Sequence, residues 1–456
     1  MATIQLSEER ENQLMSKIRW KLVPYVMLLY IVAMLDRVNI GFAALQMNKD
    51  LGISASMFGM LAGVFFITYF FFEVPSNVIM HKVGARKWIA RILISWGMVT
   101  VLLAWAQNVT HVAILRGLLG AAEAGFYPCI VLYFTFWFPT KHFAKTMSLF
   151  MCGMALANII VGPISSWIME NITWMGMAGW RWMFILEGLP AIILGFVTLF
   201  VMVDRPDQAK FLTAEEKAWL VAELEREHVA KQLKVKVASK WEVFKNGRVW
   251  HLAFCYLCYV LALYGLGMWM PQILKGLAQA MSLSGIGLIS TIPYICAIIA
   301  MVYVAKRSDA TQERRYHTAL PMVLAFFGLI ALTMTNNLAV SMLLLCISQM
   351  GIYAFVGTFW SLPNMYLSEA TAAVGIAIIN SVGNLGGFFG PYMVGFLKDA
   401  TGSTNAGMYF LATFAILCTI SVLIVGFLVL KKQGDVHFAS LIFTPPLSIS
   451  FSLRIR

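Results

Sequence analysis

Apolar runs long enough to cross a bilayer recur along this chain, and they constrain its fold more than any other feature. A helix of about 20 apolar residues matches the hydrocarbon core of a membrane, and hydropathy indicates about twelve such runs. Of the 456 residues, 60% are hydrophobic and only 12% are charged, which excludes a soluble protein of this size. The sequence therefore predicts an all-α membrane protein with about twelve transmembrane helices.

Basic residues occupy alternate loops between these runs. The loops at 81–87 and 306–315 are rich in lysine and arginine, and so are the N-terminal tail and the segment after the last run. Because short basic loops stay on the cytoplasmic side, both termini are predicted to be cytoplasmic. The net charge of +12 then follows from topology and does not indicate nucleic acid. We expect the protein in the bacterial cytoplasmic (inner) membrane.

Three pairs of landmarks share one spacing, which indicates an internal duplication. The pairs are His81 and Asp309, Gly162 and Gly390, and Gly179 and Gly407, and their position numbers differ by the same amount (309 − 81 = 228, 390 − 162 = 228, 407 − 179 = 228). Duplication of a six-helix unit predicts two pseudo-symmetric halves at 1–203 and 250–430, a cytoplasmic linker at 204–249 and a cytoplasmic tail at 431–456. Parallel halves of this kind are typical of transporters, with the substrate site at their interface.

The linker is the longest polar segment of the chain. Thr213-Ala-Glu-Glu216 has the spacing of a capping box, which predicts the start of a helix. Trp219, Leu220 and Leu224 would then share one apolar face, as in an amphipathic helix. A merely solvated linker is the alternative, and the segment is too short to be a catalytic domain.

A few charged side chains lie inside the predicted spans. Asp36 and Arg37 are neighbours in the apolar run at 24–46, where each charge costs roughly 2.5–3.5 kcal/mol on insertion scales. Arg116 and Glu123 lie two helical turns apart in the fourth span, so they share a face. Such charges form either a structural ion pair or an ion or substrate site, and the residues alone leave both interpretations open.

Several segments resemble motifs of the anion:cation symporter family of the major facilitator superfamily. They are LDRVNIGFA at 35–43, RGLLGAAEAGFYP at 116–128, GWRWMFILEGLPA at 179–191 and QERRYHTALP at 312–321. HKVGARK at 81–87 and SDATQERR at 308–315 resemble the superfamily's Gly-x-x-x-Asp-Arg-x-Gly-Arg-Arg loop, although Asn77 and His81 replace its Gly and Asp in the first copy. The chain looks most like bacterial tartrate and hydroxyphenylacetate permeases. The resemblance implies the major facilitator fold; the tail 434–456 has no match and is assigned no role.

The resemblance also implies roles for the charged residues. In that family the positions of Asp36 and Glu123 act in proton coupling, the position of Arg116 supports it, and the position of Arg37 binds the substrate carboxylate. The chemistry agrees, because the arginine fork makes two hydrogen bonds to a carboxylate. If Asp36 were the partner of Arg37, protonation of Asp36 would free the arginine for substrate. Glu73, near the end of the second span, is the next candidate for coupling.

Other residues of the spans and loops complete the predicted site. Similar polar and aromatic positions line the substrate cavity in the family: Tyr69, Tyr127, Thr358, Trp360, Asn380 and Asn384. The loop motifs contribute candidate gating residues: Gly84, Arg86, Lys87, Asp309, Arg314 and Arg315. The cavity residues have an alternative interpretation as interface aromatics or interhelical hydrogen bonds.

These features predict a proton-coupled symporter that takes up a small organic carboxylate, such as tartrate, a sugar acid or an aromatic acid, by alternating access. Its expected partners are this substrate, protons and the lipid bilayer, and it is expected to act as a monomer without cofactor, metal or nucleic acid. Cys255 and Cys258 form a C-x-x-C without a second ligand pair, which favours packing over metal binding.

Other classes of function have weaker support. An exchanger of organic anions and phosphate on the same fold would be expected to place arginines in both halves, whereas the arginines named above inside the spans lie in the first half. A sensor that binds the anion without moving it would keep the same fold. A membrane enzyme is disfavoured, because the seven histidines lie at loops or span ends without metal-ligand spacing. The identity of the carboxylate stays open.

Overall fold

The computed structural model describes residues 6–234, 243–367 and 369–430. Within these ranges the chain forms α-helices joined by short turns and loops. The helices are α1 (Glu8–Asp50), α2 (Ala55–Val83), α3 (Ala85–Leu103), α4 (Val109–Glu123), α5 (Phe126–Thr135), α6 (Thr140–Asn171), α7 (Gly179–Val201), α8 (Ala214–Lys234), α9 (Gly247–Leu277), α10 (Leu283–Ile289), α11 (Thr291–Thr311), α12 (Arg315–Leu332), α13 (Leu338–Phe359), α14 (Leu362–Tyr366), α15 (Glu369–Asn384), α16 (Gly386–Thr401) and α17 (Thr404–Leu430). The tail from 431 lies outside the described residues.

Eleven helical segments of the described chain are long and apolar enough to cross a membrane. The helix α3 is not among them, because its 19 residues include three charged ones, Arg86, Lys87 and Arg91. It nevertheless packs along α7 over its length, so it completes a twelve-helix arrangement. Exposed Arg91 lies over the Trp88 ring at 4.7 Å, which lets its aliphatic stem cover apolar surface.

The predicted duplication is visible in the helix bounds. Segment α2 and the pair α10–α11 are offset by the landmark spacing at their starts (283 − 55 = 228) and at their ends (311 − 83 = 228). Ser54 and Ser282 cap the two starts with their side chains. The first loop copy turns at Gly84 with φ +94°, and the second turns at Gln312 with φ +54°. Glycine suits the first turn, because a Cβ there would also crowd the carboxylate of Asp204.

Each half contains one helix break in the corresponding span, but the two breaks are at different depths. The chain bends between α4 and α5 at Gly125, which has φ +84° and leaves no room for a Cβ beside Ser76. In the second half the break separates α13 from α14 at Trp360 and Ser361, about two turns beyond the position that the repeat spacing relates to Gly125. Discontinuous helices of this kind are common where transporters bind their substrates. The breaks place Glu123 and Trp360 at helix ends in the interior of the bundle.

The halves are sealed against each other at the end of the bundle where α2 begins. A Cβ at Gly59 would collide with the backbone of Pro391 in α16, so the glycine permits this close approach. The carboxylate of Asp399 accepts hydrogen bonds from the N–H groups of Ala55 (3.1 Å) and Ser56 (2.7 Å). We call this end, with α2, α16, α6 and α10, the closed end.

A second carboxylate cap lies at the closed end in the matching position. Glu170, near the end of α6, accepts from the N–H of Ser284 at 2.7 Å. Ser56 and Ser284 are related by the repeat spacing (284 − 56 = 228). Each half therefore caps a helix start of the other half, where the helix dipole favours a negative charge.

The linker helix α8 lies against the first half. The predicted capping box is confirmed, because Thr213 N–H donates to Glu216 (2.8 Å) and Glu216 N–H donates to the Thr213 hydroxyl (3.2 Å). Trp219 and Leu220 are buried, which rules out a merely solvated helix. Lys17 of α1 pairs with Glu216 at 2.8 Å. Partial burial acts to raise the pKa of Glu216, but Lys17 and the Thr213 N–H outweigh it, and the pKa is lowered.

Candidate functional site

Asp36 and Arg37 lie on different faces of α1, since neighbouring residues of a helix point about 100° apart. Arg37 forms an ion pair with Glu123, the last residue of α4. The Glu123 side chain is fully buried, and that of Arg37 is 12% exposed. The expectation that Asp36 holds Arg37 is therefore wrong for this structure, because the face of Arg37 turns toward α4.

Arg37 also reaches across to the second half. One Nη donates to the hydroxyl of Tyr264 in α9 at 3.4 Å. Its guanidinium carbon lies 5.2 Å from the ring centroids of both Phe65 and Tyr69, within cation–π range. Tyr69, a predicted site residue, is thus a neighbour of the predicted carboxylate-binding arginine. The arginine lies at the interface between the halves with aromatic rings around it.

Arg116 supplies a second buried positive charge. It is fully buried, and its guanidinium carbon lies 5.3 Å from the Phe65 centroid. Its Nε donates to the carbonyl of Leu61 at 3.4 Å, but its two Nη atoms lack partners among the described residues. Arg116 thus places a second guanidinium beside the Arg37–Glu123 pair, and its free Nη groups are donors that suit an anionic ligand.

A separate polar cluster surrounds Asp36, on a different face of α1 from the Arg37–Glu123 ion pair. The Asn39 amide donates to Asp36 at 3.4 Å and to Glu187 of α7 at 2.9 Å. Glu187 also accepts from the hydroxyl of Ser165 in α6 at 2.6 Å. Asp36 is fully buried, and Glu187 is 5% exposed.

Glu187 is a candidate residue that the sequence analysis missed. It lies within GWRWMFILEGLPA, which served only as a family motif. The available signal was the same one that identified Asp36, namely an acid inside an apolar run.

A second polar contact crosses between the halves. Asn380 of α15 donates to Glu73 of α2 at 3.2 Å. Glu73 is 5% exposed, and its other carboxylate oxygen has no hydrogen-bond partner in the described chain. Glu73 lies one turn after Tyr69, whose ring centroid is 5.2 Å from the Arg37 guanidinium carbon, so this contact and the arginine belong to one region.

Aromatic side chains extend this region on both sides. In the first half, Tyr127 lies 6.0 Å from Tyr30 by ring centroids. In the second half, the Trp360 ring lies 4.8 Å from that of Tyr256. These four side chains are partly or fully buried, and aromatic residues with a polar tip suit a site that binds both carbon and oxygen atoms.

The structure places two other cavity candidates differently. Thr358 is buried between α12 and α13, where its hydroxyl accepts from Thr318 (2.9 Å) and donates to the carbonyl of His317 (3.3 Å). Asn384 is half-buried at the end of α15. Thr358 thus uses its hydroxyl within the second half, and its substrate contact stays a prediction.

The loop-motif residues lie away from this region, at the other end of α2. The N–H of Arg86 donates to Asp204 at 2.7 Å, and Lys87 is exposed. In the second copy, Asp309 pairs with Arg314 at 2.5 Å, and Arg315 donates to the carbonyl of Leu423. These contacts fix the loops within each half.

The described chain packs twelve spans in two repeated halves, with buried opposite charges at their interface, and this arrangement defines a polytopic membrane transporter. The chain belongs to the Major Facilitator Superfamily, which its residues 26–391 match. As predicted, it is therefore a multi-pass transporter and not an enzyme.

Relatives agree with this assignment. The chain is 46% identical to a "Putative tartrate transporter" of Agrobacterium vitis, over 92% of this chain and 93% of that protein. It is 38% identical to the "Putative metabolite transport protein NicT" of Pseudomonas putida, over 89% and 92% of the two chains. It is 36% identical to the "Inner membrane transport protein RhmT" of Escherichia coli, over 89% and 94%. The resemblance to tartrate permeases is thereby confirmed.

Solved structures confirm the fold. A D-xylose–proton symporter matches with a TM-score of 0.70 and 14% identity, over 88% of this chain and 97% of that chain. A bacterial homologue of the lysosomal transporter Spinster, solved in an inward-facing conformation, matches with a TM-score of 0.70 and 16% identity, over 91% and 97%. The predicted major facilitator fold is correct.

Proposed function

We propose that this protein is a proton-coupled symporter that takes up a small organic carboxylate across the bacterial cytoplasmic membrane. The observation that carries the proposal is the buried ion pair between Arg37 and Glu123 at the interface of the halves. Relatives named as tartrate transporters support an organic acid as substrate. In this proposal the halves are residues 1–203 and 250–430, joined by the linker 204–249.

Competition for Arg37 would couple the proton to the substrate. While Glu123 is ionised it occupies the guanidinium, and a substrate carboxylate must displace it. Protonation of Glu123 removes that competitor and leaves the arginine fork for the substrate. Because arginine keeps its charge, the guanidinium groups of both Arg37 and Arg116 remain as donors for an anion once Glu123 is neutral. Substrate and proton then enter together and are released together.

Asp36 and Glu187 would form the second proton-binding element. Both carboxylates share the donor Asn39, and two ionised carboxylates in a dry interior repel each other strongly. A single proton in this cluster relieves the repulsion. The cluster lies on a different face of α1 from the arginine, so a change in its charge would act on substrate binding through α1.

Alternating access would follow from the closed end. If both termini are cytoplasmic, α2 begins at the outer side, and the closed end seals the site from outside. The Asp399 and Glu170 caps would then open when the transporter turns outward. This orientation agrees with the positions of the basic loops.

Transport in proteoliposomes tests the proposal. A thermal-shift screen over tartrate, sugar acids, hydroxyphenylacetate and phthalate selects the ligand. Wild-type protein should accumulate it when the outside is acidic. Glu123→Gln mimics the permanently protonated acid and should fail at uphill accumulation while it retains counterflow, which needs no net proton movement. Glu216→Gln, outside the spans, is the matched control and should transport normally.

Three outcomes would contradict the proposal. Accumulation driven by internal phosphate, without any response to a pH gradient, would favour an organic anion–phosphate exchanger. Specific binding without uptake or counterflow would favour a sensor. Accumulation by Glu123→Gln at the wild-type level would exclude Glu123 as an essential proton carrier.

A further inference from the structure

The contact between α2 and α16 at the closed end continues inward along α2. One turn beyond Gly59, a Cβ on Gly63 would come within 2.8 Å of the Phe388 ring. Phe66, on the next turn, is only 2% exposed. Its ring lies so close to Gly387 that a Cβ there would come within 2.5 Å of it. The seal between the halves therefore extends about three turns into α2.

Tyr264 of α9 forms a second wall of the space that holds Phe66. The ring centroids of Phe66 and Tyr264 lie 4.4 Å apart. Within the second half, α9 and α16 approach at backbone distance, because a Cβ on Gly386 would come within 2.6 Å of the Leu257 carbonyl oxygen. Tyr264 and Gly387 thus belong to one packed surface of the second half, and the Phe66 side chain inserts into it. We call this contact of Phe66 with Tyr264 and Gly387 the Phe66 gate.

The Tyr264 hydroxyl also contacts the arginine of the proposed carboxylate site. Arg37 donates from Nη1 to this hydroxyl at 3.4 Å and from Nη2 to Glu123. Its Nε, which lies on the same edge of the guanidinium as Nη2, has no partner among the described residues. A carboxylate that displaces protonated Glu123 can therefore take Nε and Nη2 together, as a bidentate pair. Tyr264 would meanwhile keep Nη1 and fix the plane of the fork.

We propose that Tyr264 is a positioning residue that couples carboxylate binding at Arg37 to closure of the Phe66 gate. Arg37 and Phe66 belong to the first half, whereas Tyr264 and Gly387 belong to the second half. Separation of the halves at the closed end therefore withdraws Tyr264 from Arg37 and from Phe66 at the same time. This inference rests on the proposed carboxylate site and adds to it a residue that links binding to movement.

Linkage gives the coupling a direction. In the closed state Tyr264 holds the guanidinium in the orientation that a carboxylate needs, so less freedom is lost when the carboxylate binds. The ligand therefore binds this state more tightly and shifts the protein toward it. The charges around Arg37 do not oppose this shift. Glu123 and Arg116 lie in the first half and move with Arg37, and the neutral hydroxyl of Tyr264 adds no charge of its own.

Two kinds of substitution separate the hydroxyl of Tyr264 from its ring. Tyr264→Phe keeps the ring against Phe66, so the closed end should stay closed without ligand. It should bind tartrate about three- to tenfold more weakly, the range expected for one hydrogen bond. Tyr264→Ala removes a wall of the gate, and Gly387→Val puts a side chain where the Phe66 ring lies, so both should open the closed end without ligand.

Calorimetry on purified full-length protein measures the affinity, and double electron–electron resonance between spin labels on exposed Met57 and Ala280 measures the opening. Tartrate, or the carboxylate that the thermal-shift screen selects in its place, is the probe. In the wild type it should shift the label distances toward the shorter population. In Tyr264→Phe at saturation it should not. The matched control is Tyr259→Phe, which removes a hydroxyl from the same helix at a ring stacked on Phe355 at 4.9 Å, and it should follow the wild type.

Each contrary result has a definite meaning. Wild-type affinity in Tyr264→Phe would overturn the positioning of Arg37, and a distance shift retained in that variant would overturn the coupling. Ligand-free distances unchanged in folded Tyr264→Ala and Gly387→Val would show that Phe66 does not gate this end. Wild-type distances that do not respond to the bound carboxylate would also overturn the coupling. All four results leave carboxylate binding standing, whereas a wild type that binds none of the screened carboxylates removes the proposed function and this inference with it.

Discussion

At the scale of single residues, the proposed binding of a carboxylate depends on the shape of the Arg37 side chain as well as its charge. The guanidinium lies between a carboxylate, a tyrosine hydroxyl and two aromatic rings. A lysine keeps the charge but has neither the planar fork nor the stacking face. The arginine should therefore be required for binding, and less so for folding.

We expect Arg37→Lys to weaken binding of the transported carboxylate by about tenfold or more, since a bidentate pair is replaced by a point charge. Calorimetry on purified protein measures the affinity, and thermal unfolding checks that the variant folds. Arg91→Lys, in which an exposed arginine of α3 is changed in the same way, is the control. Wild-type affinity in Arg37→Lys would show that the residue is structural.

At the scale of helices, the paired caps at the closed end determine how firmly the halves hold together there. Asp399 accepts from two N–H groups at the start of α2, and Glu170 accepts from one at the start of α10. Each carboxylate satisfies donors that a helix start leaves unpaired. Since the caps link opposite halves, they stabilise only the state in which this end is closed.

Asp399→Asn and Glu170→Gln should therefore shift the protein toward the state with this end open. Loss of a cap costs about 1 kcal/mol, which is roughly a fivefold change in the equilibrium. Spin labels on exposed Met57 and Ala280, one in each half, report the separation by double electron–electron resonance. The variants should gain a population at longer distance, and the exposed-acid control Asp207→Asn should not. An unchanged distance distribution in both variants would show that the caps do not hold this end.

At the scale of the whole molecule, orientation in the membrane decides which side the closed end faces. The basic loops predict that α8 is cytoplasmic and that the turn between α6 and α7 is outside. Met175 in that turn is 88% exposed, and Glu215 on α8 is exposed. Both positions are therefore accessible to a reagent, whereas Leu220 is buried and would be silent whichever side it faced.

An impermeant maleimide added to intact cells should label Met175→Cys and should not label Glu215→Cys. The background chain carries Cys152→Ser, because Cys152 is the exposed natural cysteine among the described residues. Permeabilised cells should show labelling of both positions. The opposite pattern in intact cells would invert the proposed direction of transport.

At the scale of the whole molecule, the repeat of the halves could be predicted from the sequence, but the pairing of distant residues could not. The constant spacing between landmarks anticipated the repeated helix bounds, because a duplicated unit keeps its loop positions. Neighbouring positions were a poor guide to pairing: Asp36 and Arg37 diverge around α1, and Arg37 meets a residue 86 positions away. Glu73 and Asn380 are 307 positions apart, so only the packing of the halves brings them together.

The most direct test of the central claim is the pH dependence of carboxylate binding in the wild type and in Glu123→Gln. Because ionised Glu123 competes for Arg37, binding should take up a proton, and wild-type affinity should rise as pH falls, by up to about tenfold per pH unit. Glu123→Gln should bind with an affinity that changes less with pH, because only the Asp36–Glu187 cluster is left to take up a proton, and Glu216→Gln should follow the wild type. Equal pH dependence in the wild type and Glu123→Gln, measured by calorimetry on the same preparations, would contradict proton coupling through this ion pair.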